Sequence, residues 1–231
     1  MLPEATCSLP QLRAIEHRIV EPPPTAHDTE VAARHDPKGM AVTILIIGLV
    51  VFLGMHSISI VAPQLRAGAV AAIGANPWRG VYSLISAAGF VLILYGFHLA
   101  RQAPVVLYVP PTWTRHLTFL LMLPVFPLVL AAYLPGCIKT ALKHPMLAAV
   151  KFWACAHLLS NGMLADVLLF GSFLVWAVCD RISFKRRPPQ EMRTAPPGRF
   201  NDLIAVIAGL ALYAIFIGWA HAWLFGVSPL G

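Results

Sequence analysis

An all-α, polytopic transmembrane helix bundle of about six spans is the fold this sequence predicts. Three observations lead there. The 231-residue chain is 58% hydrophobic and only 12% charged, against roughly 25% charged residues in an ordinary soluble domain. Residues 39–65, 80–100, 116–138 and 203–231 contain no Asp, Glu, Lys or Arg, and each stretch exceeds the roughly 20 helical residues that cross a bilayer core. The strict apolar/polar alternation of barrel strands is absent, so the backbone has to satisfy its own hydrogen bonds as helix.

Taken in order, residues 1–38 carry Pro22, Pro23 and Pro24, mixed charge and no useful apolar run. This composition predicts a disordered tail and not a domain or a cleaved signal. The transmembrane domain follows over 39–231. Its first span is expected from about Gly39 to Ala62, ending at Pro63, and its second from about Gly80 to Ala100, stopped by Arg101. A third, about Arg115 to Leu134, holds Pro124 and Pro127, which remove backbone donors and predict a kink. The apolar stretch after His144 is divided by the turn-forming pair Asn161-Gly162 into spans of about 145–160 and 163–179. A Pro-rich basic loop, 181–199, leads to the last span, about 203–225.

The formal charge of +7 does not indicate nucleic acid, because 6 of the 17 basic residues lie in the one loop at Arg181, Lys185, Arg186, Arg187, Arg193 and Arg199. No soluble face is left to present a nucleic-acid patch. With six spans, loops one-two, three-four and five-six hold 2, 2 and 6 basic residues, and the opposite side holds 4, 2 and 0. The positive-inside rule then places both termini outside the cytoplasm. Cys7, Cys137, Cys155 and Cys179 show no Cys-x-x-Cys spacing, which argues against a zinc site or a disulfide framework.

Nine histidines are many for such a chain, and six of them, His56, His98, His116, His144, His157 and His221, lie in or at the ends of apolar segments. An ionisable group at membrane depth is a functional candidate by default. His98, His116 and His221 sit near span ends, where the headgroup layer accommodates them. His56 and His157 lie inside their spans, where a neutral imidazole calls for a metal, a proton partner or a carbonyl acceptor. Facing histidines of this kind hold haem iron, but proton relays and helix-helix hydrogen bonds use the same residue. Lys151 is the one basic residue inside an apolar run. It either snorkels to the headgroups or serves as counter-ion to an acidic group such as a haem propionate. His144-Pro145 opens a span, with Pro at a favourable first position. A similar arrangement, Arg-His-Pro leading into a span, occurs in membrane methyltransferases of the isoprenylcysteine carboxyl methyltransferase type, although no partner motif for S-adenosylmethionine accompanies it here.

Several runs together resemble the NnrU family of integral membrane proteins. They are Gly54-Met55-His56-Ser57, Tyr82-Ser83-Leu84, Ala132-Tyr133-Leu134-Pro135-Gly136, KHPMLAAVKFWACAHLLSNG (143–162), LLFGSFLVWAVCDRISFKRR (168–187) and WAHAWLFGVSP (219–229). The resemblance covers 41–231. It implies a bacterial inner-membrane protein associated with nitrite and nitric oxide reduction. The plant zeta-carotene isomerase, a haem b enzyme with histidine ligands, carries the same domain, and by similarity its ligands fall on His56 and His157. The plant cysteine directly after the Trp is replaced by Ala154, and Cys155 lies on another face, so no thiolate ligand is carried over.

These readings give three functional expectations. The first is a bundle holding haem b between His56 and His157, used in redox chemistry or in isomerising a lipid-soluble substrate. The second is a non-catalytic accessory to a respiratory reductase, or a transporter, with its histidines satisfied by helix contacts. The third is methyl transfer at His144.

Overall fold

The computed structural model describes residues 37–186 and 194–230. Residues 1–36 of the expected 1–38 tail and the middle of the basic loop, including Arg187 and Arg193, lie outside them, while Pro37 and Lys38 already belong to the first helix. Every regular element among the described residues is helical: α1 (Pro37–Val61), α2 (Pro63–Ile73), α3 (Ala75–Gln102), α4 (Thr114–Met122), α5 (Val125–Tyr133), α6 (Cys137–Leu142), α7 (Pro145–Ser160), α8 (Leu164–Ser183), α9 (Asn201–Ile215), a π-turn (Phe216–Ala220) and α10 (His221–Phe225). A single bridge, Val106 to Met163, is the one β-type pairing among the described residues.

Four segments are long and apolar enough to cross a membrane: Pro37–Val61, Ala75–Gln102, Thr114–Tyr133 and Asn201–Phe225. The fourth and fifth expected spans are α7, which is apolar but only 16 residues long, and α8, whose 20 residues include Asp166, Asp180 and Arg181. The all-α membrane bundle is therefore what the chain forms. One detail differs from the sequence expectation, and one expected feature, the kink in the third span, takes a definite form. The loop after the first span contains a helix, α2, opened by Pro63 at its first position and closed at Gly74, whose φ of 90° only glycine adopts easily. The third span is two nine-residue helices that meet at Leu123 and Pro124, since Pro124 has no N–H to continue the ladder.

Small residues let the helices approach. Helices α1 and α3 run antiparallel along a seam of Gly48, Gly89 and Gly96, and a Cβ on Gly89 would lie 2.7 Å from the Phe52 nitrogen. One on Gly48 would lie 2.6 Å from the Ile93 nitrogen. Backbones this close maximise dispersion contact, which drives helix association where lipid removes the hydrophobic incentive. Around the seam Ala41, Leu45, Leu49, Ile93 and Ala100 form one core with Ala165 of α8. Gly209 of α9 admits the backbone of Pro127 on α5 in the same way. Helix α7 is central and touches α4, α5 and α8.

The connections are tied by polar contacts at both ends. The Leu107 and Tyr108 amides donate to the Gly162 carbonyl at 2.8 and 3.2 Å, so residues 103–113 strap the α7–α8 turn. At the opposite end the Asp202 carboxylate accepts from the Cys137 and Ile138 amides at 2.6 and 3.1 Å, while Asn201 donates to the Pro135 carbonyl at 2.8 Å. This fastens the start of α9 to the start of α6, where negative charge is favourable. The C-terminal segment is held by Arg115, whose Nε donates to the Pro229 carbonyl at 2.9 Å.

The glycine seam predicts the outcome of two alanine substitutions. Gly89→Ala is expected to destabilise the protein by about 1–3 kcal/mol through forced overpacking, seen as a lower melting temperature in detergent. Gly54→Ala, where a Cβ meets nothing within 4 Å, is expected to leave melting unchanged or slightly raised.

Candidate functional site

His56 lies five residues before the end of α1 and faces α3 and α8. Its ring stacks on Phe52 at 4.2 Å, and it meets Tyr82 at 5.4 Å and the edge of Trp176 at 6.1 Å. Its Nδ1 lies 2.8 Å from the Phe52 carbonyl oxygen. A carbonyl only accepts, so in the neutral ring Nδ1 carries the proton and Nε2 keeps its lone pair. That is the arrangement in which a histidine ligates a metal, with the second nitrogen anchored to a backbone acceptor. The same region is short of an acceptor, because Trp176 Nε1 is buried without a hydrogen bond. Such groups are costly in a water-poor interior.

His157, three residues before the end of α7, stacks almost parallel on Phe170 of α8 at 4.4 Å and meets the edge of Trp153 at 5.8 Å. Asn161 Nδ2 lies 3.0 Å from the His157 carbonyl oxygen and 3.2 Å from its Nδ1. The contact with the carbonyl fixes that amide nitrogen as the donor, so Nδ1 of His157 accepts and Nε2 carries the proton. The two histidines therefore hold opposite tautomers.

Both rings lie against α8, but at different levels and not against each other. His56 meets it at Trp176 and His157 at Phe170, six residues apart, which corresponds to about 9 Å of helical rise. The rings of Phe52, Phe173 and Trp153 connect the two sites, with centroids 5.8 and 5.5 Å apart in succession. One iron clamped by both histidines would occupy the region these rings fill. Each imidazole taken alone suits a ligand role to a different degree: His56 presents a free lone pair, and His157 presents an N–H.

The remaining candidates are dispersed. Lys151 is half-buried on α7, six residues before His157 and on another face. His144 caps the start of α7 and stacks on Phe184 at 3.9 Å, at the far end of α7 from His157. Cys137, Cys155 and Cys179 are unpaired thiols. No cluster of three or more His, Cys, Asp or Glu residues suited to a metal occurs among the described residues. His221 packs against Phe216 and Phe225, with ring centroids 5.7 and 5.0 Å apart. Its Nδ1 donates to the Val227 carbonyl at 2.7 Å, and the π-turn immediately before it resets the helical register.

A family model described as NnrU protein matches residues 44–229. No curated protein and no solved structure matches the chain.

The hydrogen bonds around the two rings predict their proton positions. Nitrogen-15 spectra of histidine-labelled protein at neutral pH are expected to show His56 protonated at Nδ1 and His157 at Nε2, with assignments made by single His→Gln variants. Identical tautomers at both sites would contradict the hydrogen bonding described.

Proposed function

The chain belongs to the NnrU family, and from that membership together with the free Nε2 of His56 we propose that it is a haem b-binding protein of the bacterial inner membrane. The role proposed is redox chemistry linked to nitrite or nitric oxide reduction, or redox-dependent isomerisation of a lipid-soluble substrate. His56 would hold the iron in this reading, since its Nδ1–H is committed to the Phe52 carbonyl and its other nitrogen is available. His157 is the second ligand that the family resemblance implies. The packing does not favour that part of the proposal, because Phe173 and Trp153 stand between the rings and Asn161 occupies Nδ1. Haem b supplies one-electron chemistry and an iron whose potential the surrounding groups tune. The residues of this chain would supply the ligand nitrogen, a low-dielectric aromatic wall from Phe52, Tyr82 and Trp176, and exclusion of water. Lys151 would serve as a counter-ion to a haem propionate, and His144 caps the start of α7.

One set of observations favours a second reading. Both imidazoles have a hydrogen-bond partner within their own helix or just beyond it, Phe52 for His56 and Asn161 for His157. An accessory to a respiratory reductase, or a transporter, would use them in this way. Orientation belongs to the proposal as well: both termini lie outside the cytoplasm, because Arg66, Arg79, Lys139, Lys143 and the basic loop share one side.

Reduced-minus-oxidised spectra of protein purified with haem supplementation test the first reading. A Soret band is expected in the parent protein, with loss of most of it in His56→Ala and a weaker effect in His157→Ala. Absence of any Soret band, or a band indifferent to His56→Ala, favours the accessory reading.

A further inference from the structure

The last turn of α7 leaves carbonyl oxygens with no partner inside the helix, and the 103–113 strap supplies donors from outside. The Tyr108 hydroxyl reaches the carbonyl oxygens of both Leu158 and Asn161, the second at 2.7 Å. A hydroxyl has one proton, so the two acceptors share it. The strap backbone grips the same turn, since the Leu107 and Tyr108 amides donate to the Gly162 carbonyl and the Leu164 amide donates to the Val105 carbonyl at 2.8 Å. Position 162 has to be glycine for this fit, because a Cβ there would collide with the Tyr108 carbonyl oxygen.

Asn161 is therefore held from two sides. Its carbonyl is fixed by Tyr108, and its side-chain nitrogen lies 3.0 Å from the His157 carbonyl oxygen and 3.2 Å from His157 Nδ1. That nitrogen is what makes Nδ1 an acceptor and leaves the ring proton on Nε2. Turning the amide over would put its oxygen against Nδ1 and reverse the tautomer, but it would also set two acceptor oxygens against each other at the His157 carbonyl. The observed orientation depends on Asn161 staying in register with that carbonyl, which is the register Tyr108 maintains.

We propose that Tyr108 is a positioning residue for His157: by latching the strap onto the Asn161 carbonyl it keeps the asparagine amide against Nδ1, and so keeps His157 a donor through Nε2. An imidazole in that state offers an N–H to an oxygen-bearing ligand and no lone pair to a metal. Val106, Leu107 and Val109 of the strap are exposed, so a surface segment decides which chemistry an imidazole inside the bundle performs. The latch consists of hydrogen bonds of the protein alone; its bearing on the second axial position rests on the haem reading.

Nitrogen-15 spectra of the full, histidine-labelled chain without haem test the latch in the parent, Tyr108→Phe and Asn161→Ala. Tyr108→Phe keeps the ring and removes the hydroxyl. It is expected to raise the Nδ1–H tautomer of His157 about two- to tenfold, the factor that one lost hydrogen bond represents, and to move the remaining unprotonated Nδ1 downfield. Asn161→Ala removes the amide itself and is expected to give an equal or larger change. His56, anchored to the Phe52 carbonyl on α1, is expected to keep its signals in both. If Tyr108→Phe melts too early to measure, Gly162→Ala displaces the strap without touching the hydroxyl and is expected to shift His157 in the same direction. A folded strap variant with a lower melting temperature and an unchanged His157 signal would reduce Tyr108 to a structural role and overturn the proposal. Equal displacement of the His56 and His157 signals would overturn it too. The absence of a Soret band in the separate haem experiment would end the haem reading and leave this result standing, since no haem enters it.

Discussion

In hydrocarbon, a polar group has only the protein to turn to, and that constraint organises this molecule. It makes the backbone helical wherever the chain is apolar. It draws glycines to the α1–α3 contact, where dispersion between closely placed backbones replaces the hydrophobic effect that would operate in water. It also determines how each imidazole is held. His56 donates a hydrogen bond to a carbonyl one turn earlier on its own helix, and His157 accepts one from an asparagine one turn later. The same side chain, under the same pressure, ends in two chemically different states.

That difference separates the two histidines more than their depth does. A ring anchored through Nδ1–H has a lone pair ready at Nε2, as a metal ligand needs. A ring anchored by accepting at Nδ1 offers a donor, which suits a proton relay or a hydrogen bond to a substrate oxygen. The aromatic set of Phe52, Phe173, Trp153 and Phe170 fills the space between them, with ring centroids 4.9–5.8 Å apart along the series. Such a set gives α1, α7 and α8 a rigid common core, since aromatic pairs at these spacings add specific geometry to simple burial. Tolerance of a flat macrocycle among these rings would depend on how readily Phe173 and Trp153 give way.

The fold was legible because its signal is physical and long. Stretches without charge in 39–65, 80–100, 116–138 and 203–231 locate four spanning segments, and Asn161-Gly162 marks the turn between the two shorter ones. Pro124 signalled the break in the third span for the reason that proline always gives one. Helix α2 was hidden because it buries none of its residues, so it lacks the periodic apolar face by which a helix is recognised. The site was legible in part. Sequence could identify His56 and His157 as imidazoles placed in oil, but not their tautomers, which depend on the carbonyl of Phe52 and the amide of Asn161. It could not show that the Trp176 indole N–H is buried without an acceptor, because this follows from how helices rotate against one another.

The availability of Nε2 on His56 is the claim on which the functional account rests. Low-temperature electron paramagnetic resonance of the oxidised, haem-supplemented protein tests it most directly, by comparing the parent with His56→Ala. The account predicts a signal in the parent that changes spin state or disappears when His56 is removed and recovers when imidazole is added to the variant. A haem signal identical in the two proteins would contradict it.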